Sequence, residues 1–173
     1  MRHAFRLITA LCLIGLVGST HAGTHQIKGR IVGIHDGDSI TLLDADNRQH
    51  KIRLDGIDAP ELGQSFGRAS KQHLARLVVN REALAECSKV DRYRRNVCRV
   101  LVGGADVGLA QVRAGMAWYF RRYAKDLTPD RRQQHAEAED QAQAERRGLW
   151  ADAEPIPPWA WRATRKQGAP HEQ

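Results

Sequence analysis

The sequence lacks the features that define membrane-spanning and repeat proteins. Beyond one apolar run near the start, no stretch is long or apolar enough to cross a bilayer. No internal repeat is present, and the three cysteines allow one disulfide at most. With these classes excluded, the sequence is interpreted as one globular domain. Its 173 residues are enough to bury a hydrophobic core.

Acidic residues are in the minority, with 20 Asp and Glu against 27 Lys and Arg, so the net charge is +7. A basic surface indicates a polyanionic partner, either nucleic acid or an anionic membrane. No basic amphipathic helix supports binding to a membrane surface. Nucleic acid is therefore the favoured partner.

The first 22 residues have the pattern of a signal peptide. Arg2 and Arg6 precede an apolar run over residues 7–17, and small residues lead up to Ala22. We expect cleavage after Ala22, export to the periplasm or the medium, and no membrane association afterwards. A buried N-terminal helix is the alternative.

Cleavage would leave two cysteines, Cys87 and Cys98, each in a stretch that indicates a strand. A hairpin could place them opposite each other, and an oxidising compartment would then allow a disulfide. A loop this short would contribute about 2–3 kcal/mol in the chain-entropy view. Two buried free thiols remain the alternative.

Carboxylates are concentrated at the two ends of one predicted hairpin, in residues 36–39 (Asp-Gly-Asp-Ser) and 52–61. Pairing of these ends would gather four acids around one cation, namely Asp36, Asp38, Asp58 and Glu61 around Arg53. The acids would repel each other unless a metal ion lay among them. With no His or Cys nearby, oxygen donors favour Ca²⁺ or Mg²⁺. Two solvated turns rich in Asp and Gly are the alternative.

Hydrophobic periodicity predicts an α+β domain over residues 23–162. The predicted strands cover residues 27–35, 38–43, 49–57, 83–85 and 97–102, and the helices 66–79, 106–114 and 128–147. Five strands with a helix after the third fit a five-stranded OB-fold β-barrel with three α-helices. Residues 155–162 are expected to be extended with docked tryptophans, and residues 163–173 to be disordered.

The order of several short motifs resembles the staphylococcal nuclease (thermonuclease) family. The motifs are Asp-Gly-Asp-Ser at 36–39, Arg-Leu at 53–54, Gly-Ile-Asp-Ala-Pro-Glu at 56–61, Gly-x-Ala at 67–69, Asp-Arg-Tyr-Arg-Arg at 91–95, Val-Arg-Ala-Gly-Met-Ala at 112–117 and Gly-Leu-Trp at 148–150. Together they extend over about residues 27–150. Each motif alone is weak, but the combination in this order is specific.

The resemblance implies a Ca²⁺-dependent endonuclease that hydrolyses DNA and RNA, leaves 3′-phosphates and acts as a monomer. One ion would be held by Asp38, Asp58 and the backbone carbonyl of Ala59. The resemblance also assigns phosphate binding to Arg53 and Arg95, the general base to Glu61, and the nucleotide pocket to Tyr93 and Tyr123. A non-catalytic nucleic-acid-binding OB module is the rival interpretation. It is disfavoured because the catalytic residue types are all present.

Two positions depart from the family pattern. Ser39 replaces a Thr, which is conservative. Arg94 replaces a Gly, and glycine in a turn often serves a positive φ that an arginine would adopt only with strain. Arg94 therefore puts the direction of the neighbouring Arg95 side chain in question.

Overall fold

A closed barrel of five strands forms the centre of the molecule in the computed structural model, which describes residues 25–167. The strands are β1 (His25–Ile34), β2 (Ser39–Leu43), β3 (Gln49–Leu54), β4 (Ile57–Asp58), β5 (Glu82–Val90), β6 (Asn96–Val102), β7 (Ala105–Asp106) and β8 (Trp118–Tyr119). The helices are α1 (Gly67–Val78), α2 (Val107–Arg113), α3 (Pro129–Ala144) and α4 (Pro158–Gln167), with 3₁₀ segments at Arg121–Asp126 and Gly148–Ala151.

The barrel strands follow the order β3-β2-β1-β5-β6, and a parallel pairing of β3 with β6 closes the circle. The other neighbours are antiparallel. Alternate residues point inward, so Ile31, Ile40, Ile52 and Val100 fill the interior with almost no exposed surface. This arrangement confirms the predicted α+β fold with a five-stranded barrel.

Side-chain caps begin two helices where the sequence indicates them. The Asp106 carboxylate accepts the Leu109 N–H at 3.1 Å and begins α2. The Thr128 hydroxyl accepts the Arg131 N–H at 3.4 Å and begins α3, whose first residue is a proline. These helices pack on each other, and α2 contacts β6 of the barrel while α3 contacts β8.

The C-terminal region differs from the prediction. Residues 158–162 are not extended but form the first half of α4, a fourth helix where three were expected. The helix continues to Gln167, inside the 163–173 segment for which disorder was predicted. Pro158 supplies a φ suited to a first helical residue, and Trp159 stacks on Phe120 with ring centroids 5.2 Å apart. The rest of that segment and the predicted signal peptide, residues 1–22, lie outside the described residues.

A smaller difference concerns the strand predicted over residues 49–57. It ends at Leu54, and a turn through Asp55 and Gly56 separates it from β4. Gly56 has a φ of 71°, which an L side chain rarely adopts. The turn redirects the chain so that Asp58 faces the other end of the hairpin.

Cys87 and Cys98 lie opposite each other on β5 and β6, with their sulfurs 2.05 Å apart. Both residues are fully buried in the barrel core. The predicted pair is therefore joined in the structure. Within residues 25–167, no helix has the length and apolar character needed to span a membrane.

Candidate active site

The Asp-Gly-Asp turn between β1 and β2 is fixed by contacts with α1 and α2. The buried Gln111 side chain donates to the Gly37 carbonyl at 2.6 Å. A Cβ at Gly37 would lie 1.9 Å from the Ser70 hydroxyl, so only glycine allows α1 to approach this closely. The Asp36 carboxylate accepts the Asp38 N–H at 3.0 Å. These contacts hold Asp38 at the start of β2, where it is 5% exposed.

Asp38 and Asp58 converge on one guanidinium. Arg53 lies on β3 opposite Ser39, and its two terminal nitrogens are 2.6 Å from Asp38 Oδ2 and 2.9 Å from Asp58 Oδ1. The Ala59 N–H also donates to Asp38 Oδ2 at 2.7 Å. The two ends of the predicted hairpin thus meet, with their carboxylates on a shared cation.

Glu61 lies just after this meeting point, at the entry to α1. Its carbonyl accepts the Gln64 N–H at 2.8 Å, and its N–H donates to the Gln64 side chain at 3.2 Å. A Cβ at Gly67 would lie 1.8 Å from the Glu61 carbonyl oxygen, so glycine is needed for the first turn of α1 to pack here. The Glu61 carboxylate remains partly exposed beside Asp58.

Arg95 reaches the same site from the turn between β5 and β6. Its Nη1 donates to the Ser39 hydroxyl at 3.0 Å, and that hydroxyl donates to Asp38 Oδ1 at 3.1 Å. The Asp91 carboxylate holds Arg95 through Nε at 2.8 Å. Ser39 therefore links Arg95 to the carboxylate pair, a connection that sequence reasoning did not identify.

Arg94 does not turn the Arg95 side chain away from the site. It adopts a φ of 63°, the left-handed conformation for which glycine is the usual residue. The Asp91 carboxylate also accepts the N–H groups of Tyr93 and Arg95, both at 2.9 Å, and these bonds hold the turn. The side chain of Arg95 points into the site in spite of the strained residue before it.

The two tyrosines predicted for nucleotide binding are exposed and lie at different places. Tyr93 has its ring 5.5 Å from the guanidinium carbon of Arg95. Tyr123 packs edge-on against Phe120 at 5.0 Å and lies under the ammonium of Lys89 at 4.8 Å. Tyr93 thus borders the site directly, whereas Tyr123 contacts the aromatic side chains beside it.

Arg162 on α4 is a member of the site that sequence reasoning missed. Its Nη2 is 2.7 Å from Asp58 Oδ2, and its Nη1 is 2.7 Å from Glu61 Oε1. The only signal in the sequence is Pro158, which can begin a helix, followed by Trp159 and Arg162 at helical spacing. The Pro-rich composition concealed that signal.

Burial and neighbouring charges shift the pKa values of Asp38 and Arg53. Burial raises the pKa of Asp38 to about 7, and Asp36 and Asp58 add to the rise, although Arg53 and the Ala59 N–H oppose it. Burial lowers the pKa of Arg53, but the carboxylates of Asp38 and Asp58 outweigh that effect and hold the pKa above its ordinary value. Negative charge on Asp38 is thus costly without additional positive charge nearby.

The donor set fits a hard cation. Asp38 and Asp58 already place oxygens around one positive group, the Arg53 guanidinium. Both side chains offer oxygen donors, which suit Ca²⁺. Among residues 25–167, no group of three or more His, Cys, Asp or Glu side chains is arranged as a metal site. An ion here would therefore need backbone, water or substrate oxygens to complete its coordination.

Comparison with known proteins agrees with this geometry. Residues 51–152 match the family model described as staphylococcal nuclease homologue. The chain is 38% identical to an "Uncharacterized endonuclease" of Haemophilus influenzae, over 92% of this chain and 86% of that protein. It is 39% identical to a "Micrococcal nuclease" of Shigella flexneri, over 82% of this chain and 83% of that protein. The chain belongs to the staphylococcal nuclease homologue family.

Proposed function

We propose that this protein is an exported, Ca²⁺-dependent endonuclease that hydrolyses the phosphodiester bonds of DNA and RNA and leaves 3′-phosphate ends. Membership of the family makes the chain a nuclease hydrolase. The observation that supports the finer proposal is the convergence of two buried carboxylates, two arginines and one partly exposed glutamate.

Asp38 and Asp58, with the Ala59 carbonyl, would hold one Ca²⁺ ion. When bound, the ion would supply positive charge against the charge that develops on the phosphoryl oxygens. With the ion on the carboxylates, Arg53 would be released to bind a phosphate oxygen. This assignment explains why Asp38 is buried at an electrostatic cost in the free protein.

The protein side chains supply the remaining functions. Arg53 and Arg95 present guanidinium forks that match the paired oxygens of a phosphate. Asp91 orients Arg95 through its Nε and Nη2, and Nη1 stays directed toward Ser39. Glu61 would accept or orient the proton of the attacking water, and the bond to the 5′-oxygen would break. Tyr93 and Tyr123 are exposed aromatic side chains that would contact nucleobases.

Export is supported by the N-terminal sequence and by the disulfide. The pattern of residues 1–22 is that of a signal peptide, and the disulfide between Cys87 and Cys98 needs an oxidising compartment to form. We propose a monomer in the periplasm or the medium. The intact mass of the exported protein, with and without reductant, tests both the cleavage after Ala22 and the disulfide.

The test of function is cleavage of single-stranded DNA and of RNA by the purified protein, with Ca²⁺ or with a chelator. We expect cleavage of both substrates only with Ca²⁺, and products that a 3′-phosphatase converts into primers for a polymerase. The rival, a nucleic-acid-binding OB module, predicts binding with no cleavage in any divalent ion. Cleavage that persists in the chelator would overturn the proposed metal dependence.

The role of Glu61 has its own test. Glu61→Gln keeps the size of the side chain and removes the proton acceptor, so turnover should fall roughly 100-fold or more. The affinity for single-stranded DNA should be retained. Weaker binding with unchanged turnover would show that Glu61 has a structural role.

A further inference from the structure

The last described helix, α4, brings a third arginine to the site. Trp159 fixes the start of the helix by stacking on Phe120 with an interplanar angle of 12°, and by an edge contact with Trp118 at 5.6 Å. The side chain of Gln64 donates to the carbonyl of Ile156 just before the helix. Arg162 lies one helical turn after Trp159 and therefore faces the same way, toward the carboxylates.

Arg162 joins the two acids that the proposed reaction needs. It holds both oxygens of Asp58, at 2.7 and 3.3 Å, and one oxygen of Glu61 at 2.7 Å. Asp58 is 1% exposed and Arg162 is 40% exposed, so the guanidinium covers the carboxylate and still contacts solvent. A ligand in solution can therefore reach Arg162 without unfolding the helix.

The charges of the site favour an exchange of partners. Three carboxylates and two guanidiniums are in direct contact, those of Asp38, Asp58, Glu61, Arg53 and Arg162, and with every group ionised their charges sum to −1. A divalent cation would change the sum to +1 and would repel a guanidinium bound to the same carboxylate. One phosphodiester anion would then return the sum to zero.

On the basis of the proposed function, we propose that Arg162 is a third phosphate-binding arginine of this site. In the free protein it pairs with Asp58 and Glu61. When a divalent cation takes Asp58, Arg162 transfers its hydrogen bonds to a phosphate group of the nucleic-acid substrate. The exchange also frees Glu61, because the same guanidinium holds both acids.

The exchange makes two predictions of opposite sign for one substitution. Removing the guanidinium should strengthen Ca²⁺ binding, because Asp58 then has one competitor fewer. It should weaken binding of a phosphate ligand once Ca²⁺ is bound. A guanidinium that only blocks the site would instead oppose both ligands, so its removal would strengthen both.

The probes are Ca²⁺ alone and, in saturating Ca²⁺, deoxyadenosine 3′,5′-bisphosphate, which carries phosphates and has no phosphodiester to cleave. Isothermal titration calorimetry compares the wild type, Arg162→Gln and the control Arg165→Gln. Arg165 is exposed one turn further along α4 and makes no ion pair with the residues described in the structure. It therefore matches Arg162 in charge and in helix but not in contacts.

We expect Arg162→Gln to bind Ca²⁺ about tenfold more tightly than the wild type, and the bisphosphate about tenfold more weakly, as for one charge-assisted hydrogen bond. Arg165→Gln should match the wild type within about threefold in both titrations. Equal Ca²⁺ affinity for the wild type and Arg162→Gln would rule out the exchange of partners but leave the proposed function standing. So would bisphosphate affinity in Arg162→Gln that equals or exceeds that of the wild type.

The failure of the proposed function has a different signature. If neither the wild type nor Arg162→Gln binds Ca²⁺, the proposed metal dependence is wrong, and the exchange fails with it. If Ca²⁺ binds and only the predicted differences between variants are missing, the metal dependence stands and Arg162 is not a phosphate ligand.

Discussion

Two clusters of arginines and carboxylates lie in this small domain, and they are built differently. The site cluster contains Arg53, Arg162, Asp38, Asp58 and Glu61. The support cluster, which joins α3 to the barrel and to the start of α2, contains Arg131, Arg99, Asp55, Asp106 and Glu86. In each cluster one arginine bridges two aspartates, so the residue types alone do not distinguish them.

The clusters have the same formal balance, three carboxylates to two arginines, and differ in geometry and burial. In the support cluster Arg131 binds both oxygens of Asp55 at 2.7 Å while only 12% exposed, and the third carboxylate, Glu86, is partly exposed at 3.5 Å from Arg99. In the site cluster two buried aspartates share one guanidinium, and burial raises the pKa of Asp38 to about 7. The geometry of the support cluster suits stabilisation of the fold. The buried pair of the site cluster instead gains from a further cation or a proton, as is common in functional sites.

The largest expected effect comes from a substitution at the centre of the site cluster. Asp58→Asn keeps the shape of the side chain and removes the charge that both Arg53 and Arg162 contact. One remaining carboxylate holds a divalent ion poorly, so Ca²⁺-stimulated cleavage should fall by about 1,000-fold or more. Initial rates on single-stranded DNA at saturating Ca²⁺ measure the loss.

The control for Asp58→Asn is the matching change in the support cluster, Asp55→Asn. It should reduce the free energy of unfolding but leave the turnover of the folded protein within a few-fold of the wild type. Full Ca²⁺-stimulated activity in Asp58→Asn would mean that the metal assignment is wrong.

Within the support cluster, Arg131 is the residue whose loss should reduce the free energy of unfolding most. Arg131→Met retains much of the aliphatic volume but leaves Asp55 and Asp106 without the guanidinium they share. Asp106 keeps Arg99, but the buried Asp55 carboxylate is left unpaired, which should reduce the free energy of unfolding by about 3 kcal/mol. Denaturant melts measure this change. A difference below about 1 kcal/mol would show that the support cluster does not hold the fold together.

The pH dependence of the free energy of unfolding should also distinguish the site cluster from the support cluster. The pKa of Asp38 is about 7 in the folded protein, well above the 3.8 that is ordinary for an aspartate, so the folded state binds more protons than the unfolded state between these pH values. The free energy of unfolding in chelator should therefore fall as pH rises from about 4 to about 7. The contribution of Asp38 to this decline should be on the order of 3 kcal/mol.

Asp38→Asn should remove that decline, because the amide does not titrate. Denaturant melts of the wild type and the variant at pH 5 and pH 8, both in chelator, make the comparison. The variant should gain stability relative to the wild type at pH 8 while losing Ca²⁺-stimulated cleavage. A wild type that is equally stable at both pH values would argue against the raised pKa.

Sequence reasoning predicted the parts of the fold that depend on local patterns. Alternating apolar residues indicated the barrel strands, and Asp106 and Thr128 indicated the helix starts, because a cap acts on N–H groups two or three residues away. The meeting of Asp38 with Asp58 followed from one hairpin. Each of these inferences needs only neighbouring residues or one turn.

The missed features depend on contacts between distant parts of the chain. Arg162 is separated from Asp58 by 104 residues, and no local pattern states which surface α4 will cover. Ser39 was recognised as a conservative replacement, but its role as the link from Asp38 to Arg95 requires the parallel pairing of β3 with β6. Such pairings depend on barrel closure, which no single segment encodes.

The smallest expected effect concerns the turn that carries Arg95. Arg94 has a φ of 63°, and a non-glycine residue there stores strain. Arg94→Gly should therefore raise the free energy of unfolding by about 0.5–1 kcal/mol and leave turnover unchanged, or raise it if relaxing the turn improves the direction of Arg95. Arg94→Ala removes the same side chain but keeps a Cβ at this φ, so it should bring no such gain.

Arg95→Ala completes the comparison, because Arg95 reaches Ser39 beside Asp38 whereas Arg94 has no ion pair with the described residues. Its guanidinium would stabilise charge that grows during the reaction, so its loss should reduce turnover by about 100-fold or more and weaken substrate binding far less. Turnover, affinity and the salt dependence of binding for the three variants test this assignment. If Arg94→Gly abolishes turnover and Arg95→Ala does not, the two arginines have been assigned in the wrong order, and Arg94 is the one that acts on the phosphate. If Arg94→Gly only weakens binding and flattens its salt dependence, Arg94 is an added phosphate contact, and the strained turn has been retained for affinity.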